Sequence, residues 1–224
     1  MQSFAPIAQL YNTKPFPEHE PELSTEGSFS LFTGHNLDDW SFVGSGDFVV
    51  EHGALMSRGK TGLLWYKHKR FGNCVVRVLY KVSDPETSSA VFVCIPEAPK
   101  DIWEAVHHSH QIKICDSQDE YRRTGSIYSM SRARLAKTKP PGEWNTMDIF
   151  LKGKRVAVYI NQELISEFNP LQTSPPRAAS SDPLRGPRPE AGFVGLLNHN
   201  DPINDIIGRV WFKDISVLPL PAQM

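Results

Sequence analysis

A short alternating stretch carries the residues of this chain that are best suited to do chemistry. The side chains of a strand alternate between its two faces, so Ile112 and Ile114 share one face while Gln111 and Lys113 share the other. Asp116 follows at once and opens a polar turn, which places a carboxylate at the rim of the Gln111 and Lys113 face. A half-solvated antiparallel strand without any function would show the same alternation, so both interpretations stay open from this stretch alone.

His199 is a second candidate, at the end of the alternating stretch 193–199. It shares a face with the odd-numbered residues of that stretch and comes just before a polar turn. A histidine at a strand end is able to act as an acid or a base, and a hydrogen-bonded turn residue is an equally good interpretation. Five aromatic rings are able to stack on sugars: Trp40, Trp65, Trp103, Trp144 and Tyr128. Such rings in a β-sandwich are more often part of the core.

The motifs of several enzyme classes are missing from the chain. It has no Gly-Xaa-Ser-Xaa-Gly elbow, no phosphate-cradling glycine loop and no dinucleotide fingerprint, which argues against nucleophile-elbow hydrolases, kinases and dehydrogenases. His107, His108 and His110 are close in sequence, but adjacent side chains diverge and no cysteine or carboxylate stands at a useful spacing. We therefore predict no metal site and no cofactor, and leave open whether a divalent ion lies near Asp116.

The composition limits the classes of partner. The 24 Lys and Arg residues nearly balance the 25 Asp and Glu residues, for a net charge of −1, so we expect neither nucleic acid nor an anionic membrane as partner. The 3 cysteines have unrelated spacings and apolar neighbours, which favours buried thiols in a reducing compartment. The first residues lack a basic and apolar signal sequence, and no later stretch is long enough to span a bilayer. A soluble, cytoplasmic protein is expected.

The rest of the chain predicts strands rather than helices. From residue 29 onward, short apolar or alternating stretches are separated by Gly, Asn and Asp. The predicted strands are 29–32, 48–52, 54–57, 62–65, 75–82, 90–95, 110–115, 125–130, 145–152, 155–160, 163–168, 193–198 and 210–217. This pattern predicts an all-β fold, an antiparallel sandwich of two sheets. Only 101–108 indicates a short helical turn, inside a loop that Trp103 should anchor.

We expect one domain, at 29–218, with an arm before it and a short tail after it. Residues 1–28 combine several prolines with acidic residues, which favours an arm that is only partly ordered. Residues 169–191 are rich in proline and form a long loop, for which a functional flap and a disordered link are equally good interpretations. Residues 219–224 form the tail.

Several sequence blocks, in one order, resemble the 3-keto-disaccharide hydrolase family. They are Leu-Phe-Thr-Gly-His-Asn-Leu-Asp-Asp-Trp at 31–40, Gly-Leu-Leu-Trp at 62–65, Ser-Ala-Val-Phe at 89–92, Gln-Ile-Lys-Ile-Cys-Asp at 111–116, Thr-Gly-Ser-Ile-Tyr at 124–128, Pro-Gly-Glu-Trp-Asn-Thr at 141–146 and Val-Gly-Leu-Leu-Asn-His at 194–199. The resemblance covers about residues 29–218. It implies a concanavalin A-like jelly roll that binds sugar on its concave face. It also implies cleavage of 3-keto-glycosides, in which the C3 ketone acidifies the C2 proton and a base starts elimination of the glycosidic substituent.

The chain departs from the family pattern at positions that alternation assigns to the concave face. Gln111 stands where the family has an acid, and Lys113 stands where it has a glutamine. Cys94 replaces an arginine, and Leu197 replaces a glutamine. Gln111 is unable to transfer a proton, so a mechanism based on glutamate is not expected here.

These observations lead to two hypotheses of different classes. The first is a glycoside hydrolase or lyase that acts on a 3-keto-glycoside or a related modified sugar. The second is a non-catalytic carbohydrate-binding module of the same fold, and a protein-interaction surface is a weaker third. The catalytic candidates are Asp116 and His199 as base and acid, Lys113 as a cation beside an enolate, and Tyr128 as a hydrogen-bond donor. The substrate-binding candidates are Gln111, Trp65, Trp103 and Asn198. A carbohydrate is the expected ligand, and the oligomeric state stays open.

Overall fold

The structure, a computed structural model, describes residues 15–200 and 208–220. The strands are β1 (Phe29–Ser30), β2 (Trp40–Glu51), β3 (Ala54–Tyr66), β4 (Cys74–Val82), β5 (Ser89–Ile95), β6 (His110–Ile114), β7 (Asn145–Lys152), β8 (Arg155–Ile160), β9 (Glu163–Phe168), β10 (Phe193–Asn198) and β11 (Val210–Pro219). Helix α1 (Ile102–His108) lies between β5 and β6. It has only 7 residues, and no helix within 15–200 or 208–220 is long and apolar enough to cross a membrane.

The strands form an antiparallel jelly roll, as the sequence predicted. Their hydrogen-bonded order is β6-β5-β10-β3-β11-β4-β7-β8-β9, with β2 along β3 and β1 along β11. Strand β3 takes part in both layers, because its end pairs with β10 and its beginning pairs with β11. The first sheet therefore contains β6, β5, β10 and the end of β3, and the second contains β9, β8, β7, β4 and β11. The main core lies between the two sheets and includes Val91, Ile112, Ile149 and Phe212.

Strands β2 and β3 bend together where they pass from one sheet to the other. Their register shifts between Gly44 and Gly46, and a Cβ at Gly46 would lie 1.7 Å from the Lys60 carbonyl oxygen. Nδ2 of Asn198 donates to the carbonyl oxygens of Arg58 and Lys60, each at 2.8 Å. Asn198 is buried, so its amide satisfies backbone acceptors that the bend leaves unpaired.

The described part of the N-terminal arm covers the outer face of the second sheet. Phe16 and Leu23 pack on an apolar cluster that includes Phe150 and Tyr159. The Tyr159 hydroxyl donates to the Pro17 carbonyl at 2.7 Å. Residues 1–14 of the predicted arm and 221–224 of the predicted tail lie outside the described residues.

The arm also closes a buried charge cluster. Arg77 and Asp148 lie opposite each other on β4 and β7, and Arg77 Nε donates to Asp148 Oδ1 at 2.6 Å. Arg77 Nη2 donates to Glu20 Oε1 of the arm at 2.9 Å. Two buried carboxylates therefore share one guanidinium. Burial and the charge of Asp148 raise the pKa of Glu20 to about 7.

We expect the free energy of unfolding to depend on pH through Glu20. A carboxyl group whose pKa is raised by folding stabilises the protein below its unfolded value of 4.5, and this contribution is lost as the pH rises through about 7. Denaturation at pH 5 and pH 8 should show a decrease on the order of 1–3 kcal/mol from this group. Glu20→Gln should remove most of the decrease, and Glu22→Gln, at an exposed residue of the same arm, should not. Equal pH profiles for wild type and Glu20→Gln would contradict this.

The strand predictions were correct for most of the sheet. They differ from the structure in the β2–β3 hairpin and at residues 125–130. The predicted strands 48–52, 54–57 and 62–65 are parts of the longer β2 and β3. Residues 125–130 form no strand, because only Ile127 makes isolated bridges and the chain turns there. The predicted helical turn is α1, whose Asp101 cap accepts a hydrogen bond from the Glu104 N–H.

Candidate active site

The outer face of the first sheet brings together several of the predicted residues. Residues opposite each other in an antiparallel pair share a face. Lys113 is opposite Ala90, Ala90 is opposite Leu197, and Leu197 is opposite Leu63. A second row runs from Gln111 through Phe92 and Gly195 to Trp65. The prediction that Gln111, Lys113 and Leu197 share one face is therefore confirmed.

Lys113 and His199 meet through a serine that sequence analysis did not single out. Lys113 Nζ donates to Ser88 Oγ at 3.2 Å, and Ser88 Oγ lies 2.8 Å from His199 Nδ1. Ser88 directly precedes β5 and His199 directly follows β10, so both lie at the same edge of the first sheet. A proton can therefore pass between the amine and the imidazole through one hydroxyl group.

Burial changes the acidity of Lys113. Its side chain is only 7% exposed, and no carboxylate in the described part of the chain pairs with it. Desolvation lowers the pKa of Lys113 to about 8; the electrostatic effect of Cys115 opposes this decrease, and the positive charge of Arg122 adds to it. From the sequence alone, Lys113 is assigned the role of a cation. With this pKa the amine can also accept a proton near neutral pH, which is a property of catalytic lysines.

Tyr128 lies against Lys113, as part of the same group of side chains. Lys113 Nζ is 5.7 Å from the centre of the Tyr128 ring. The Tyr128 N–H donates to the Gln111 carbonyl at 2.9 Å, which fixes this residue beside β6. Burial, the negative charge of Asp182 and the hydrogen bond to that carboxylate raise the pKa of Tyr128, so its phenol stays neutral and would have to turn from Asp182 to donate to a substrate.

Asp182, a buried carboxylate that sequence analysis missed, completes the group. Its side chain is 0% exposed, and the N–H groups of Ala178 and Ala179 donate to Oδ2 at 2.8 Å and 3.2 Å. Although burial by itself would raise the pKa of Asp182, these N–H donors hold it below the usual value. Arg122 Nη2 lies 4.0 Å from Asp182 Oδ1. We call Lys113, Ser88, His199, Tyr128, Arg122 and Asp182 the Lys113 cluster.

The proline-rich segment covers this side of the sheet. Arg185 Nη2 donates to the Ser129 carbonyl at 2.8 Å, next to Tyr128. Arg188 Nε donates to the Ser109 carbonyl at 3.0 Å, directly after α1. Residues 169–191 are packed on the domain rather than forming a disordered link, because Arg185, Arg188 and Asp182 contact it, and a functional role of this segment stays a prediction.

Helix α1 covers the apolar part of the same face. Ala105 and Val106 pack on a cluster that contains Leu63, Phe92 and Leu197. Trp103 is 54% exposed and stacks on His107 at 6.0 Å, so the prediction that it anchors the loop was wrong. The buried residues of α1 are Ala105 and Val106, and these hold the helix on the sheet instead.

Gln111 and Trp65, two predicted substrate-binding residues, are buried with unsatisfied polar atoms. Gln111 is 5% exposed and its Oε1 has no hydrogen-bond partner, while Trp65 is 8% exposed and its Nε1 has none, within the described residues. The Trp65 ring packs on Phe193 at a centroid distance of 5.0 Å. Unpaired buried polar groups often mark sites that a ligand or water completes. Sugar binding by these two residues stays a prediction.

Three other predicted site positions do not join the Lys113 cluster. Asp116 is exposed in the turn after β6, and its two oxygens accept from the hydroxyls of Thr124 and Thr138, which are not part of the cluster. Asn198 satisfies the β3 carbonyls described above. Cys94 has a φ of 60° at a register shift between β5 and β10, and this bulge turns its side chain into the main core. Simple alternation had assigned Cys94 to the outer face.

No metal-binding group was found within residues 15–200 and 208–220. They contain no cluster of three or more His, Cys, Asp or Glu side chains able to hold an ion. His110 is fully buried, and desolvation lowers its pKa to about 3, so it is neutral. The three cysteines are free and buried, as expected from the sequence.

A family model matches most of the chain. The model of the 3-keto-alpha-glucoside-1,2-lyase-like domain matches residues 27–218. The chain belongs to this family. The resemblance noted from the sequence blocks is therefore confirmed. A comparison with curated protein sequences found no match.

Solved structures share the fold of this 3-keto-alpha-glucoside-1,2-lyase-like domain. A protein of Parabacteroides distasonis assigned as a glycosyl hydrolase is 26% identical, with a TM-score of 0.67 over 86% of this chain and 99% of that one. A second protein of this species with the same assignment is 19% identical, with a TM-score of 0.69 over 88% of this chain and 95% of that one. The carbohydrate-binding module CBM66 of Bacillus subtilis is 10% identical, with a TM-score of 0.53 over 80% of this chain and 94% of that one. Family and fold together indicate a carbohydrate-related function.

Proposed function

We propose that this protein cleaves a 3-keto-glycoside, or a related modified sugar, at the Lys113 cluster. The observation that carries this proposal is the buried amine of Lys113, joined through Ser88 to His199 on the outer face of the first sheet. The family supports a keto-sugar as substrate, and the two glycosyl hydrolase assignments support glycosidic cleavage.

The chemistry begins with loss of the C2 proton of the sugar. A ketone at C3 makes that proton acidic, and the neutral amine of Lys113 accepts it, since its pKa of about 8 leaves a neutral fraction near pH 7. The electron pair of the C2–H bond forms an enolate with the C3 carbonyl. Tyr128, which stays neutral, turns from Asp182 to donate a hydrogen bond to the enolate oxygen.

The second step breaks the glycosidic bond. The enolate collapses, a C1–C2 double bond forms, and the electron pair of the C1–O bond leaves with the aglycone oxygen. That oxygen takes a proton from His199, and the proton on Lys113 returns to His199 through Ser88, so the cluster ends in its starting state. The products are an alcohol and an unsaturated keto-sugar, to which water can add in hydrolysis.

Binding requires that the covering segments move. Lys113 is 7% exposed, and α1 and the proline-rich segment pack on neighbouring parts of the same face, so a sugar would need one of them to be displaced. Closure over a bound sugar would then exclude water from the enolate, which strengthens the electrostatic interactions in the site.

The test is release of nitrophenol from nitrophenyl 3-keto-glucoside, with unoxidised nitrophenyl glucoside as the control substrate. We expect release from the keto-sugar alone. His199→Ala should lower kcat by about 100-fold or more, because it removes the proton donor to the leaving group. His35→Ala, at an exposed histidine, should have no effect. No release by the wild-type protein, or equal release by His199→Ala, would refute the proposal.

A non-catalytic sugar-binding module is the second candidate. The similarity to CBM66 and the replacement of the family's acid by Gln111 favour it. In that case a keto-sugar or a plain sugar should bind at micromolar to millimolar concentration in calorimetry without any cleavage, which corresponds to about −4 to −8 kcal/mol.

A further inference from the structure

A cationic cavity that shares no lining residue with the Lys113 cluster lies against the proline-rich segment. It has a volume of about 460 Å³ and lies between the β7–β8 hairpin, the end of β9 and residues 170–188. Lys154, Arg185 and Arg188 line it, together with apolar surface from Phe168 and Pro170. None of its described lining residues is acidic, although the whole chain has a net charge of only −1.

The two arginines of this cavity have no carboxylate within ion-pair distance among the described residues, in contrast to several other arginines of the protein. Arg58, Arg77, Arg122, Arg134 and Arg155 each pair with a carboxylate. Arg185 and Arg188 instead donate to carbonyl oxygens, the Ser129 hydroxyl and the Met130 sulfur, and no described carboxylate lies within ion-pair distance of either. Arg188 is only 6% exposed, so its charge is held in a medium where an unpaired charge is costly.

The guanidinium groups keep hydrogen-bonding capacity for a ligand. A guanidinium has five N–H groups. Arg185 and Arg188 each use Nε, both N–H groups of Nη2 and one of Nη1, so one Nη1 N–H of each remains for a ligand, and the Arg188 bond from Nη1 is long, at 3.4 Å. Lys154 lies in the hairpin turn after Gly153 and has no hydrogen-bond or ion-pair partner among the described residues. One ammonium and two guanidinium groups suit the two negative charges and three oxygens of a phosphate monoester.

We propose that this cavity binds the phosphate group of a sugar-sized phosphate ester. The volume exceeds that of a phosphate group alone, and the apolar surface of Phe168 and Pro170 can pack against the body of a small ligand. The site is separate from the Lys113 cluster, and the proposal does not depend on the proposed cleavage reaction. Because residues 170–188 line the cavity and residue 182 belongs to the cluster, a bound phosphate ester would also fix this segment in its covering position.

The experiment is isothermal titration of the full chain with inorganic phosphate, glucose 6-phosphate and glucose. We expect glucose 6-phosphate to bind more tightly than inorganic phosphate, and glucose not to bind at this site. Lys154→Gln should weaken binding of both phosphate compounds by about tenfold, since it removes one charge-assisted hydrogen bond. Lys152→Gln removes the same charge from the same hairpin but not from the cavity, and it should leave the affinity unchanged.

Each outcome decides the proposal. Absence of phosphate binding at millimolar concentration, or equal weakening by Lys152→Gln and Lys154→Gln, would refute it, because the second result shows only a general charge effect. Circular dichroism checks that Lys154→Gln is folded, and hydrogen exchange of the wild type gives an independent measurement. Glucose 6-phosphate should slow exchange in residues 170–188 and the hairpin, and slowing confined to other regions would also refute the proposal.

Discussion

Replacing Arg77 with methionine is expected to lower the free energy of unfolding by about 3–5 kcal/mol at pH 7.5. The substitution keeps most of the side-chain volume but leaves Asp148, whose side chain is 1% exposed, and Glu20, at 6%, without their shared guanidinium. Two neighbouring buried carboxylates then repel each other and have no cation to offset desolvation. Urea denaturation of the wild type and the variant measures the difference.

The exposed pair of Arg58 and Asp47 provides the control. Their side chains are 61% and 53% exposed, so Arg58→Met should cost no more than about 1 kcal/mol. The cost of Arg77→Met should also decrease at pH 5, where the raised pKa of Glu20 allows this carboxyl group to bind a proton. If Arg77→Met and Arg58→Met lowered the free energy of unfolding equally, burial would not increase the stabilisation that the Arg77 ion pairs provide.

The sequence predicted the strands because their signals are local. Alternating stretches such as 145–152 and 155–160, with Gly153 in the turn between them, define a hairpin without any knowledge of the rest of the fold. The same alternation correctly placed Gln111, Lys113 and Leu197 on one face. Local pattern therefore gave most of the first sheet and part of the candidate site.

The sequence failed where the position of a side chain depends on partners far along the chain. Cys94 follows the alternating pattern of β5, but the register shift against β10 reverses its direction. Asp182 lies in a segment without periodicity, and only the tertiary packing of that segment on Tyr128 and Arg122 brings its carboxylate into the cluster. A lone aspartate among prolines has no sequence signal that distinguishes it from a surface residue.

The Lys113 cluster also shows how a site can be held at the expense of stability. An amine whose pKa is lowered by folding contributes stability above its unfolded value of 10.5, and loses it as the pH falls through about 8. At pH 7 the buried ammonium therefore destabilises the fold. An apolar residue at this position would avoid that cost, so the lysine is not explained by stability of the fold.

Lys113→Met should separate the effect of Lys113 on stability from its effect on catalysis, because we expect stability to rise and activity to fall. Methionine fills the space of the lysine stem beside Ala90 and Tyr128 without a charge, so the free energy of unfolding at pH 7 should rise by about 1–3 kcal/mol. The gain should shrink toward pH 10, where the lysine is neutral in the folded protein. If Lys113 is the base, kcat for the keto-glucoside should fall by about 1,000-fold.

Lys139→Met is the matched control, because Lys139 is exposed and should change neither quantity appreciably. Full activity in a more stable Lys113→Met protein would leave the structural account of the buried amine intact but remove Lys113 from the reaction. Loss of stability at pH 7 would have the opposite meaning, since it would show that the ammonium is compensated by partners and that its pKa is not lowered by burial.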